Sequence, residues 1–368
     1  MANFELLRII TMMMVVAMHY FHYAGMLPQL TDRLSQDNIF ALFFQSLSIV
    51  AVNVFVIISG YFMVKSRFKF RRFFRLVFQV LFYTLFIPLV LSIFGMPVIA
   101  EAEGIYGIME YIFPFSTKHY WFITAYMILY LISPFLNAAF ENIEKVKLKK
   151  IILILLFLFC GVKSFVPILF AFDSFGYDFG WFICLYLTGA YIRVYGLPLL
   201  NKKSRGLFVY LLSAMLILTV KFASQGLYMK LGLFKYFYEV PFHYNFIFVY
   251  LAAIGLFFFF MNINIKESWL AALIRGAAQT CLGVYLLHMN IDIRDNWYLW
   301  TEKLFGGLHE WGFWGMILKM AATVLFVFIA CMIIDFIRSL IFARVEKSLI
   351  EQYETTKSIK ESRKSDEK

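Results

Sequence analysis

Charge is what this sequence has least of. Only 15% of its 368 residues are Asp, Glu, Lys or Arg, while 62% are hydrophobic. A soluble domain carries about a quarter charged residues, so that balance excludes an ordinary water-exposed surface. Cysteine is nearly as scarce. Cys160, Cys184, Cys281 and Cys331 all fall inside apolar runs, with neither the spacing of a zinc site nor the setting of a disulfide framework, and they read as small packing residues. No cleavable leader is expected either: the first apolar run lacks a basic n-region and a small-residue cleavage site, and it is longer than a typical h-region. Acidic residues number 23 against 34 basic ones. In a soluble protein that excess would suggest nucleic acid. Here the cations collect in alternate loops, the pattern of a membrane protein, and no nucleic-acid partner is expected.

What the chain does have is long apolar runs. They predict an all-α polytopic membrane protein, because backbone in lipid must satisfy its own hydrogen bonds. Ten spans are expected, over 4–27, 38–63, 76–98, 119–140, 151–171, 179–197, 207–223, 244–262, 277–291 and 314–336. A domain of residues 1–342 would hold them, and a charged tail, 343–368, is expected to be partly disordered. With the N-terminus inside, the segments assigned to the cytoplasm hold 25 of the 34 Lys and Arg residues. That asymmetry predicts both termini in the cytoplasm, and the chain is expected in a cell membrane, the bacterial cytoplasmic membrane by preference. The 45 phenylalanines and 22 tyrosines suit lipid-facing surfaces and interfacial belts.

The first span, NFELLRIITMMMVVAMHYFHYAGML, holds the polar residues that call for an explanation: Glu5, Arg8, His19 and His22. Ionisable groups within a span are expensive and mark function. Arg8 and His19 are eleven residues apart, about three helical turns, so they share a face roughly 16 Å apart along the axis. Arg71, Arg72 and Arg75, before the third span, offer rigid forks suited to phosphate. The imidazole of His19 is suited to taking a proton from a hydroxyl and returning it. Each has a plainer explanation. Arg8 could pair with Glu5 or snorkel, the arginine cluster could orient the chain or bind anionic lipid, and His19 could be structural. His22 forms an HxxH pair with His19, but no third ligand lies near it in sequence, and no metal is expected. Asn53, Trp121, Tyr126 and His288 are candidate substrate contacts, each with packing or interfacial anchoring as its alternative.

The Arg8-x10-His19 pair, with NFELLRII before it, resembles the acyltransferase-3 family of integral-membrane O-acyltransferases. VNVFVIISGYF (52–62), RRFFR (71–75), HYWFITAYMILYLISPFLN (119–137) and CLGVYLLHMN (281–290) resemble further family segments in the same order. The resemblance implies acetyl transfer from cytosolic acetyl-CoA, a donor substrate rather than a resident cofactor, to a hydroxyl of an extracytoplasmic polysaccharide. It implies His19 as the catalytic residue and Arg8, Arg71, Arg72 and Arg75 as donor-binding residues, with the bilayer, a carbohydrate acceptor and polysaccharide-synthesis proteins as partners. Many members carry an added esterase-like domain, for which the tail is too short and too polar. Direct transfer and a separate partner both stay open. The alternative reading is a transporter or flippase that moves a glycan or small molecule without covalent change.

Overall fold

The computed structural model describes residues 1–117, 119–168, 170–171, 173–307 and 312–366, without the side chains of 101, 102 and 345–366. His309 and Trp311, from the Trp-rich segment before the last span, lie outside the described residues. Everything regular among the described residues is helical, and no strand occurs among them. In chain order the helices are α1 (Ala2–Tyr23), α2 (Gln36–Ser48), α3 (Ala51–Met63), α4 (Phe70–Ile93), α5 (Ile99–Glu103), α6 (Ile105–Ile112), α7 (Trp121–Asn142), α8 (Lys145–Leu156) and α9 (Val162–Phe165). They continue with α10 (Phe179–Tyr195), α11 (Lys203–Leu231), α12 (Lys235–Glu239), α13 (Ile247–Met261), α14 (Trp269–Gln279), α15 (Cys281–His288), α16 (Trp297–Phe305) and α17 (Gly312–Asp366).

Eight stretches among the described residues are long and apolar enough to cross a membrane: Ala2–Tyr23, Gln36–Met63, Phe70–Ile93, Trp121–Asn142, Lys203–Leu231, Lys235–Met261, Trp269–His288 and Gly312–Arg344. The fifth and sixth expected spans fall on shorter pieces. The fifth coincides with α8 and α9, joined by a π-helical turn at Phe157–Gly161, and the sixth with the 17 residues of α10. Expected boundaries were too short at several places. The seventh span is the 29-residue α11, and the ninth begins at Trp269 and changes helix at Thr280. The last helix runs on through the segment read as the charged tail.

Local sequence sets several helix ends. Ser35 and Asn38 form a reciprocal capping box at the start of α2, with Asn38 N donating to Ser35 Oγ at 3.1 Å and Ser35 N to Asn38 Oδ1 at 2.9 Å. Asp178 caps α10 by accepting from Trp181 N at 2.9 Å.

The bundle is arranged around α1, which packs against α2, α3, α13, α14, α15 and α17. Bulky apolar side chains left exposed, such as Phe78 on α4, Phe135 on α7 and Leu318 on α17, form the outer surface. Inside, two helix pairs meet backbone to backbone. A Cβ on Gly60 of α3 would lie 2.1 Å from Tyr186 O of α10, and one on Gly189 of α10 would lie 2.2 Å from Ile57 O of α3. Gly206 and Gly255 bring α11 and α13 together in the same way. Without a hydrophobic effect between helices in lipid, such close approach is how they gain contact. Gly189→Leu is therefore expected to abolish recovery of monodisperse protein from membranes. An unchanged size-exclusion profile would show that α3 and α10 separate freely.

Candidate functional site

The two ends of the bundle carry different chemistry. The end that holds the N-terminus gathers arginines. Phe4 of α1 lies against Tyr61 and Phe62 at the end of α3, with ring centroids 5.3 and 5.1 Å apart. Arg8 lies over Phe62, 5.9 Å from its centroid. Arg193, near the end of α10, donates to Tyr61 Oη at 3.1 Å and covers the same ring. Arg193 was not singled out in the sequence, where it is one cation among the loop residues. Arg71, Arg72 and Arg75 are exposed on the first turns of α4, which leaves this same end of the bundle. Arg8 itself is engaged: its Nη1 donates to both carboxylate oxygens of Glu5 at 2.7 Å.

His19 stands toward the other end of α1, half-buried. The side of α1 between Arg8 and His19 is closed by packing, because Thr11, Met12 and Val15 are all buried. The shared stripe expected from the spacing is thus a cation and an imidazole separated by a packed stretch. The fold brings a partner to His19 from 269 residues away. His288, buried at the end of α15, places its Nε2 3.0 Å from His19 Nδ1.

The hydrogen-bond pattern fixes the protons of the neutral pair. His288 Nδ1 lies 2.5 Å from Val284 O, and a carbonyl only accepts, so Nδ1 carries hydrogen. His288 Nε2 is then a lone pair, and the 3.0 Å contact requires the donor to be His19 Nδ1–H. That leaves His19 Nε2 with a free lone pair, the form a general base needs. Nothing in the sequence distinguishes His288 as the partner of His19, as the two are near only in the fold.

The other candidate residues divide between structure and lining. Asn53 is fully buried and fully used: its Nδ2 donates to Tyr244 O at 2.7 Å, and its Oδ1 accepts from Trp181 Nε1 at 3.0 Å. Tyr126 stacks on Phe122, with centroids 6.0 Å apart, and its Oη approaches Met63 Sδ at 4.0 Å. Trp121 is half-buried against Tyr177, Phe182 and Tyr244. His22 is exposed, one turn beyond His19.

Beyond His288 the chain builds a polar cap. Asp292 Oδ1 accepts from Ile99 N at 2.8 Å and Tyr111 Oη at 3.0 Å, which ties α5 and α6 over this end. Burial raises the Asp292 carboxyl above its ordinary range. His119 is buried beside it with its Nδ1 directed to Glu110 O at 3.4 Å and its Nε2 accepting from Asn290 Nδ2 and Ile291 N at 3.4 and 3.5 Å. A proton on Nε2 would face two donors, and burial itself lowers the pKa to about 4. The sign follows from linkage. With the folded pKa below the ordinary 6.5, the stabilisation from neutral His119 is present above pH 6.5. It declines as the pH falls and is gone below about 4. Acidification from pH 7 to 4 is expected to cost on the order of 2–3 kcal/mol through this group. His119→Gln should flatten that part of the melting profile in detergent. An identical pH dependence in both proteins would rule it out.

A family model described as an acyltransferase domain matches residues 1–336. No curated protein and no solved structure matches the chain.

Proposed function

The chain belongs to the acyltransferase-3 family, and on that premise we propose that this membrane acyltransferase moves an acetyl group from cytosolic acetyl-CoA to a hydroxyl of an extracytoplasmic, cell-surface or exported polysaccharide. The observation that carries the reading is the His19–His288 pair, whose hydrogen bonds leave His19 Nε2 as a base. It stands at the opposite end of α1 from the arginines, and the excess of Lys and Arg in alternate loops supports a cytoplasmic location for the arginine end and both termini.

In this mechanism Arg71, Arg72 and Arg75 hold the phosphates of acetyl-CoA at the cytoplasmic face, and Arg8 joins them by exchanging Glu5 for phosphate. The thioester arm enters the bundle toward His19. His19 Nε2 takes the proton of the acceptor hydroxyl as its oxygen attacks the thioester carbonyl. The tetrahedral adduct collapses, the carbon–sulfur bond breaks, and the CoA sulfur leaves with the proton from His19. His288 keeps the base in one tautomer throughout, as the third member of a catalytic triad does for its histidine. No step needs an acyl-enzyme or an attached second domain. The packed segment at Thr11, Met12 and Val15 has to open for the arm to pass, which makes substrate-driven loosening of α1 part of the cycle.

The test is transfer in proteoliposomes with labelled acetyl-CoA on the cytoplasmic side and host surface glycan outside. Labelled O-acetyl glycan is the expected product, read by mass spectrometry. Movement of glycan with no covalent change would favour the transporter reading and overturn this one.

A further inference from the structure

Aromatic rings lead from the far end of the bundle to the histidine pair. Tyr177, Trp121, Phe122, Tyr285 and His288 follow one another with consecutive ring centroids 4.4, 5.9, 5.8 and 6.2 Å apart. The outer members are amphipathic. Tyr177 is 44% exposed, Trp121 is half-buried, and Tyr244 lies under Trp121 with centroids 5.7 Å apart and planes inclined by 27°. Tyr177 also packs on Tyr244, at 4.9 Å.

Interfacial anchoring explains many exposed tyrosines and tryptophans in membrane proteins, and the position of Trp121 argues against it here. Its neighbours, Phe182 of α10 and Tyr244 at the entry to α13, are buried. The ring therefore lies in the mouth between three helices and not on the periphery. The surface does carry tyrosine and tryptophan of the anchoring kind, Tyr106, Trp269 and Trp314, each 76% exposed, whereas Trp121 is half-buried among its neighbours.

The strap that presents Tyr177 is held in place. Its backbone takes left-handed conformations at Phe175 (φ 62°) and Gly176 (φ 82°). Tyr244 N donates to Phe175 O at 3.1 Å, and a Cβ on Gly176 would lie 2.8 Å from Asn245 N. A rigid, partly open set of rings with O–H and N–H groups at its edges fits a ligand that is apolar on its faces and hydroxylated around its rim.

We propose that Tyr177 and Trp121, with buried Tyr244 packed beneath Trp121 as backing, form a stacking platform for a pyranose ring of the acceptor, outside the histidine pair. The platform rests on the transfer reading above and gives it a carbohydrate subsite. It binds the sugar face, the ring ladder guides the next hydroxyl inward, and His19 receives it. Removing one stacked ring should weaken acceptor binding about tenfold.

The experiment uses the full-length protein in detergent on a printed array of pyranose oligosaccharides, with acetyl-CoA binding by thermal shift as the control for folding. Wild-type protein is expected to bind a subset of the sugars. Tyr177→Ala and Trp121→Ala should raise the half-saturating concentration about tenfold, while Trp121→Phe, which keeps a ring, stays within about threefold, and all bind acetyl-CoA alike. Should Trp121→Ala fail to fold, Tyr177→Ala at the exposed position decides. Absence of wild-type binding to every sugar, or unchanged binding by Tyr177→Ala, overturns the platform. Sugar binding without acetyl transfer to the bound glycan overturns the transfer reading and leaves the platform standing.

Discussion

His19→Ala is expected to lower acetyl transfer by roughly 10²–10⁴-fold while the protein still inserts and purifies as the wild type does. The side chain is half-buried, so its loss leaves little void, and its one described polar partner is His288. The loss should therefore appear in the rate and not in the fold. His288→Ala is expected to lower the rate as well. Without its Nε2 to accept, nothing at that position holds the proton of His19 on Nδ1, and the base is free to adopt the wrong tautomer. Groups that act as a unit are non-additive, so the double variant His19→Ala/His288→Ala should be no slower than His19→Ala alone. Rates are read as O-acetyl content of the glycan by mass spectrometry. Full acetylation by well-expressed His19→Ala protein would sink the assignment of the base. Fully additive losses would leave the base and remove the partnership.

What the sequence makes visible here is what lies close along the chain. The three-turn spacing of Arg8 and His19, the apolar runs and the alternating basic loops are local patterns, and they suffice for the helical membrane architecture and for singling out the polar residues of α1. The partner of His19 was not visible in that way. His288 is one histidine among six, and its 3.0 Å contact exists only because α15 packs beside α1. Asn53 shows the same limit from the other side. An amide in an apolar span suggests a ligand, yet both of its polar groups are consumed in joining α3 to Trp181 and Tyr244. The packed interval at Thr11, Met12 and Val15 could not be inferred either, since helical periodicity gives the face of a helix but not what covers it. The glycine contacts were half visible. Small residues in apolar spans suggest close packing, but the pairing of Gly60 with Tyr186 and of Gly189 with Ile57 depends on the crossing of α3 and α10.

Asp173→Ala is expected to destabilise the protein by roughly 3–5 kcal/mol, because it leaves Lys163 charged and buried without its partner. Lys163 falls within the fifth expected span, where a lone ammonium is expensive. Its side chain is 1% exposed and that of Asp173 3%, and the two form an ion pair. Asp173 does more than neutralise a charge: its Oδ1 also accepts from Asn245 Nδ2 at 2.8 Å and from Phe175 N at 2.9 Å. It thereby fastens the strap that carries Tyr177 to the start of α13. For a chain of this length the cost corresponds to a fall of about 5 °C in the melting midpoint. Replacing both partners by apolar residues, in Lys163→Met/Asp173→Leu, removes the stranded charge and should recover part of the loss. It should not recover the strap, since Phe175 N and Asn245 lose their shared acceptor in both variants. Stability and sugar binding are thus expected to separate. Melting improves from the single to the double variant, and the half-saturating concentration on the glycan array stays raised in both. If the double variant regains sugar binding together with stability, the ion pair serves only the fold and Tyr177 needs no anchor. If Asp173→Ala melts with the wild type, Lys163 finds another way to shed or share its charge.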